Sequence, residues 1–216
     1  MRQDKATFIR SLSQGRAGRL PLVAGRLCLN FVNTSSGRGT PTHKNHLVSY
    51  GDLLAWSHHA GALDHKTTVA LASLAQRQPA AAQRVLSRAV KLRETLFAIM
   101  TGLAQGRRPS PATLKELNAV LAPSLRASRL ALDGDGFSWA WRPESPSLDL
   151  PLWIVGRSAA ELLTGDPLDR LKSCASGADC GWVFLDTSRN GRRRWCEMEV
   201  CGSRAKMRRY RHRHRL

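Results

Sequence analysis

The stretch RLKSCASGADCGWVFLDTSRNGRRRWCEMEVCGSRAK, residues 170–206, decides how the end of this chain folds. Four of its residues are cysteines, spaced C-x5-C-x15-C-x4-C: Cys174, Cys180, Cys196 and Cys201. Two short-range pairs joined by a hairpin-length insert are what a tetrahedral zinc ion with no open position asks of its ligands. Residues 174–216 are too few to bury a core of their own, so a metal would take the place of one. Within the insert, Trp182 to Leu185 reads as a strand, RNG at 189–191 as a turn, and Arg193 to Cys196 as the returning strand. Residues 1–19 read as a basic, partly disordered lead-in without a signal peptide's apolar segment. The thiols are therefore expected to be reduced, in a cytoplasmic protein, and free to bind metal.

Charge points the same segment at a polyanion. The chain has 34 Lys+Arg against 16 Asp+Glu, net +18. Half of that excess falls within residues 170–216, mostly as arginine. The terminal run RAKMRRYRHRHRL lacks the apolar stripe a membrane-surface helix needs, so nucleic acid is the expected partner, not a membrane. A helix over about 202–213 would spread Arg204, Lys206, Arg208, Arg209 and Arg211 around its circumference. Arg189, Arg192, Arg193 and Arg194 would add phosphate contacts from the hairpin turn. The alternative is a solvated tail balancing the charge of a zinc tetrathiolate. Four cysteines already fill a tetrahedral zinc, which leaves His212 and His214 in solvent.

Upstream, apolar spacing predicts a mainly helical domain with a small β element over 20–168, giving an α+β chain with a zinc module at 169–216. Helices are expected over about 50–62, with Ser49 and Asp52 as a capping box, and from Asp64 to about Arg77. The longest apolar stripe, Val85 to Leu103, marks a central helix from Pro79 to about Gly106. Ser110-Pro111 opens another, to about Leu121, and 150–165 forms the last. RLALDGDGFSWAW at 129–141 reads as a hairpin, with Phe137, Trp139 and Trp141 on one buried face. RLCLNFVN at 26–33 fits either a strand or a short buried helix, with Cys28 as a buried thiol.

These elements together resemble the CGNR zinc finger and the ABATE domain found with it. The FLDTSRN and RRWC segments match that finger, and the motif that names it stands here as Cys201-Gly202-Ser203-Arg204, with Ser203 in place of Asn. LCLNFVNT resembles the opening motif of the ABATE domain, where Asp is more usual than Asn30. The resemblance implies a bacterial, stress-induced transcription regulator that holds one structural zinc and binds DNA through the zinc module.

Other constellations are weaker. Asn30, Asn33, Arg93 and Glu94 lie in or beside apolar patterns and could line a cleft for a small effector; the preferred reading is that they cap turns and bridge helices. His43, His46, His58, His59 and His65 lack supporting ligands and read as surface residues. No phosphate loop, nucleophile elbow or zinc-protease motif supports an enzyme. The rival readings are an RNA-binding zinc protein and a small-molecule-binding domain with a purely structural zinc.

Overall fold

The computed structural model describes residues 16–141 and 147–214. Its organising element is α4, Pro79–Ala104, about 39 Å long at 1.5 Å per residue. Val85, Leu86, Ala89, Leu92, Leu96, Ile99 and Met100 form its buried stripe, as the periodicity requires. Around it pack α1 (Leu27–Val32), α2 (Tyr50–His59), α3 (His65–Arg77), α5 (Pro111–Ala127) and α6 (Leu150–Gly165). The small antiparallel pairs are β1 (Ser35–Ser36) with β2 (Lys44–Asn45), β3 (Ser128–Asp133) with β4 (Gly136–Trp141), and β5 (Leu171–Ser173) with β6 (Val183–Leu185). The last described element is α7 (Ser203–Arg213). It is an α+β fold with a mainly helical N-terminal part. No helix among the described residues is long and apolar enough to cross a membrane.

Local chemistry explains the helix starts. Ser49 accepts from the Asp52 amide at 3.1 Å while the Asp52 carboxylate accepts from the Ser49 amide at 2.8 Å, a complete capping box. Asp64 accepts from the Thr67 amide at 2.7 Å and Ser110 from the Thr113 amide at 3.1 Å. Of the two readings left open for residues 26–33, the helix is the one found. Cys28, Leu29, Phe31 and Val32 are all buried, so no polar face remains for a half-exposed strand. A helix satisfies its own backbone in such a site, and the Cys28 amide donates to the Ser158 hydroxyl of α6 at 3.1 Å.

Three expectations change. Helix α5 runs past Pro123 to Ala127 instead of ending near Leu121. Its last turn is held by the Ser124 hydroxyl donating to the Trp153 carbonyl at 3.3 Å and by the Ser128 hydroxyl capping the Ser124 carbonyl at 2.7 Å. The face carrying Phe137, Trp139 and Trp141 is not core. Only its base meets α6, where Trp141 lies 6.0 Å from Trp153, and Phe137 and Trp139 are exposed. Finally, β6 pairs with β5 and not with Arg193–Cys196, which is irregular chain.

That last pairing fuses the C-terminal segment to the helical part. Leu171, Val183, Phe184 and Leu185 are buried in the same cluster as α1 and α4. On its free side β6 donates from the Leu185 amide to the Ala24 carbonyl at 2.9 Å. At its start, the Asn33 side chain accepts from the Val183 amide at 3.0 Å and donates to the Val183 carbonyl at 2.9 Å. A side-chain amide thus completes both bonds of a strand residue. Asn33→Ala would leave two buried backbone groups unpaired and cost about 2–4 kcal/mol, read as a lower urea midpoint with an unchanged slope.

Candidate metal centre and nucleic-acid interface

Each cysteine is delivered by a different backbone device. Cys174 follows β5 directly, its amide donating to the Trp182 carbonyl at 2.8 Å. A single 3-10 turn, Gly177–Asp179, then carries the chain to Cys180. Gly181, at φ +66°, makes the reversal into β6 that a side chain would oppose. Cys196 is brought alongside by the Ala175 amide, which donates to the Arg194 carbonyl at 2.8 Å. Cys201 sits in a wide helical turn, Met198–Gly202, that runs straight into α7.

The four sulfurs all lie within 4.8 Å of one another, with Cys180–Cys196 and Cys196–Cys201 at 3.6 Å. Metal–sulfur bonds of about 2.3 Å in a tetrahedron place sulfurs about 3.8 Å apart, so the donor set fits zinc. Hydrogen bonds from the Cys180 and Cys196 thiols hold the Cys174 thiol below the ordinary range, while the same contacts push Cys180 and Cys196 up. This is the metal-capable group of three or more ligands found among the described residues. It is a closed, structural zinc site; a tetrahedron of four protein thiolates leaves no position for substrate.

The surrounding loop is braced by groups that sequence reasoning did not single out. Asp186 is buried and accepts from the Lys172 ammonium at 2.7 Å, the Arg193 amide at 2.9 Å and the Ser188 amide at 3.0 Å. Burial would raise its pKa, but these donors outweigh it and hold the carboxyl well below the usual range. Arg193 points inward. Its guanidinium lies 4.4 Å from the centre of the Phe184 ring and donates to the carbonyls of Val23 (2.9 Å), Trp195 (3.0 Å) and Cys196. Expected as a phosphate contact, Arg193 instead pins the Cys196 segment to the N-terminal part. Nothing in the run Arg192-Arg193-Arg194 marks Arg193 as the inward one; its partners Phe184 and Val23 are brought to it only by the fold.

The other basic residues are outside. Arg189, Arg192 and Arg194 are exposed around the loop, and Arg204, Lys206, Arg208, Arg209 and Arg211 are exposed along α7. Arg208 comes within 3.9 Å of Asp179, both solvated, which is worth little. His212 and His214 are exposed, away from the thiols. None of the helix's described residues is buried.

The residues considered for an effector cleft are internal ties. Asn30 accepts from the Ala24 amide at 3.0 Å, and Asn33 holds β6 as described. Arg93 is buried and donates to Asn45 at 2.7 Å and to Glu94 at 2.8 Å. Arg38 joins the same carboxylate at 2.8 Å while stacking 4.0 Å from the centre of the Phe97 ring. Together they clamp the β1–β2 loop onto α4. His43, His58 and His59 likewise bond Ser35, the Leu63 carbonyl and the Leu20 carbonyl.

Two family models match this arrangement. The ABATE model, described as "Putative stress-induced transcription regulator", matches residues 25–166. The CGNR zinc finger model matches residues 170–214. The chain belongs to the ABATE family. The second match covers all four thiols and α7, and the family is one of regulators, not of enzymes. No curated protein matches the chain.

Two outcomes follow from the geometry. Elemental analysis should find one zinc per chain, and Cys196→Ser should lose it; a mutant that retained one equivalent would contradict the four-thiolate assignment. Asp186→Asn should keep the zinc yet lose about 2–3 kcal/mol at neutral pH, since charge-assisted bonds around a buried group are lost. The depressed carboxyl contributes its full stability above the ordinary carboxylate range and loses it as pH falls from that range through the folded value, so this deficit should begin to shrink in mild acid and vanish only in strong acid.

Proposed function

We propose that this chain is a bacterial cytoplasmic regulator of transcription that grips DNA with α7 and the exposed arginines of the zinc loop. The observation that carries this reading is the state of α7: an eleven-residue helix with no buried residue, bearing Arg204, Lys206, Arg208, Arg209 and Arg211, rooted on a zinc ligand. A helix that buries nothing gains no stability from packing, and its cations gain most against phosphates. Arg189, Arg192 and Arg194 supply a second cationic element at the same end. Most of these contacts would position the protein, with base reading left to one or two arginines of α7. Arg193 has no part in it. The N-terminal part would act as the regulatory body. Asn30, Asn33 and Arg93 are spent on internal bonds, so any effector would bind elsewhere.

The test is duplex binding across a salt series. Arg208→Ala with Arg209→Ala should weaken binding and lower the slope of log K against log salt by about 1 per phosphate contact removed. Tight binding to structured RNA with only nonspecific binding to duplex DNA would replace this reading with the RNA one.

A further inference from the structure

The β3–β4 hairpin is out of place on a lone soluble chain. Its strands turn through Gly134-Asp135, a two-residue loop whose first member, at φ +58°, needs glycine. The register sets Leu130 opposite Trp139 and Leu132 opposite Phe137, so all four side chains share one face. Their relative exposures are 62% for Leu130, 77% for Leu132, 76% for Phe137 and 51% for Trp139. The base of this face is anchored, with Trp141 against Trp153 and the Arg157 guanidinium 4.5 Å from the centre of the Trp139 ring. Beyond that anchor the apolar face continues into solvent as an arm.

We propose that this face is the interface between two copies of the chain, joined hairpin to hairpin about a two-fold axis. A two-fold contact needs a self-complementary patch, and an apolar face is complementary to itself. At these exposures, four such side chains offer on the order of 500 Å² per copy. The pair would bury about 1,000 Å², the lower bound for a specific interface. An apolar patch of this size is at the upper end for a monomer and is often functional.

Charge selects the occupant. The tip carries Asp133 and Asp135, and both are exposed. They repel nucleic acid and anionic lipid, which removes base stacking and membrane insertion as uses for Phe137 and Trp139. The complementary surface is a basic one, and this chain carries net +18. With the hairpins antiparallel across the axis, each acidic tip reaches the base of the other arm, where Arg126 is exposed. On the regulator reading, on which this consequence alone rests, the pair would present two α7 helices to two half-sites.

Sedimentation velocity of the zinc-loaded full chain over micromolar to millimolar concentration tests the proposal. The wild type should form a dimer. Leu132→Asp with Phe137→Asp should raise its dissociation constant at least about 100-fold. Ser138→Asp, on the opposite face, should leave it unchanged. Zinc content and circular dichroism of each variant establish that it is folded. A monomeric wild type, or a dimer that survives the double substitution, would overturn the interface. Duplex binding separates this from the functional reading: a monomeric wild type that binds DNA removes the interface and leaves the regulator, and a dimeric wild type that binds none does the reverse.

Discussion

Four thiolates around one metal hold together a segment that has almost nothing else to fold around. Between Leu171 and Cys201 the buried apolar side chains are Leu171, Val183, Phe184 and Leu185 besides the cysteines themselves. Such a piece has two ways to become rigid, a metal or a borrowed core, and this one uses both. The sulfurs set the path of the chain through Cys174, Cys180, Cys196 and Cys201. The strand β6, seated on α1 and α4 and bonded on both sides, sets the position of that cluster on the helical part. The direction of α7 depends on both constraints. The helix begins within two residues of Cys201, and it has no buried residue of its own to aim it.

Polar residues do the joining between the two parts. Asn33 supplies the missing neighbour of Val183, and Arg193 reaches back to the Val23 carbonyl. Each bond is specific in direction, so together they define an orientation that apolar burial alone would leave loose. Asp186 organises the loop from inside in the same way, collecting Lys172, Ser188 and the Arg193 amide around one carboxylate. The exposed arginines are left on a braced frame, which would lower the ordering cost of any polyanion they bind.

What was legible in the sequence was local. Capping at Ser49, Asp64 and Ser110 and the stripe of α4 depend on neighbours three or four residues away, and they read correctly. The cysteine spacing was legible for the same reason. Non-local facts were not. Whether Val183–Leu185 pairs with the strand before it or with the segment after it depends on which partner also covers its second face, and α1 decides that from 150 residues away. Arg193 sits in a run of three arginines and is told apart only by Phe184 and Val23 beside it. The alternation of Phe137, Trp139 and Trp141 correctly marked one face of a hairpin. That the face overhangs its support could be known only from where α6 lies.

The zinc cluster and the helical part should behave as one cooperative body. Hydrogen exchange of the zinc-loaded and the zinc-stripped chain tests this most directly. Removing the metal should speed exchange throughout β5, β6 and α7 and also at α1, with α4 less affected. Loss of protection confined to residues beyond Cys174, with α1 unchanged, would contradict the fused architecture and leave the zinc segment an independent bead.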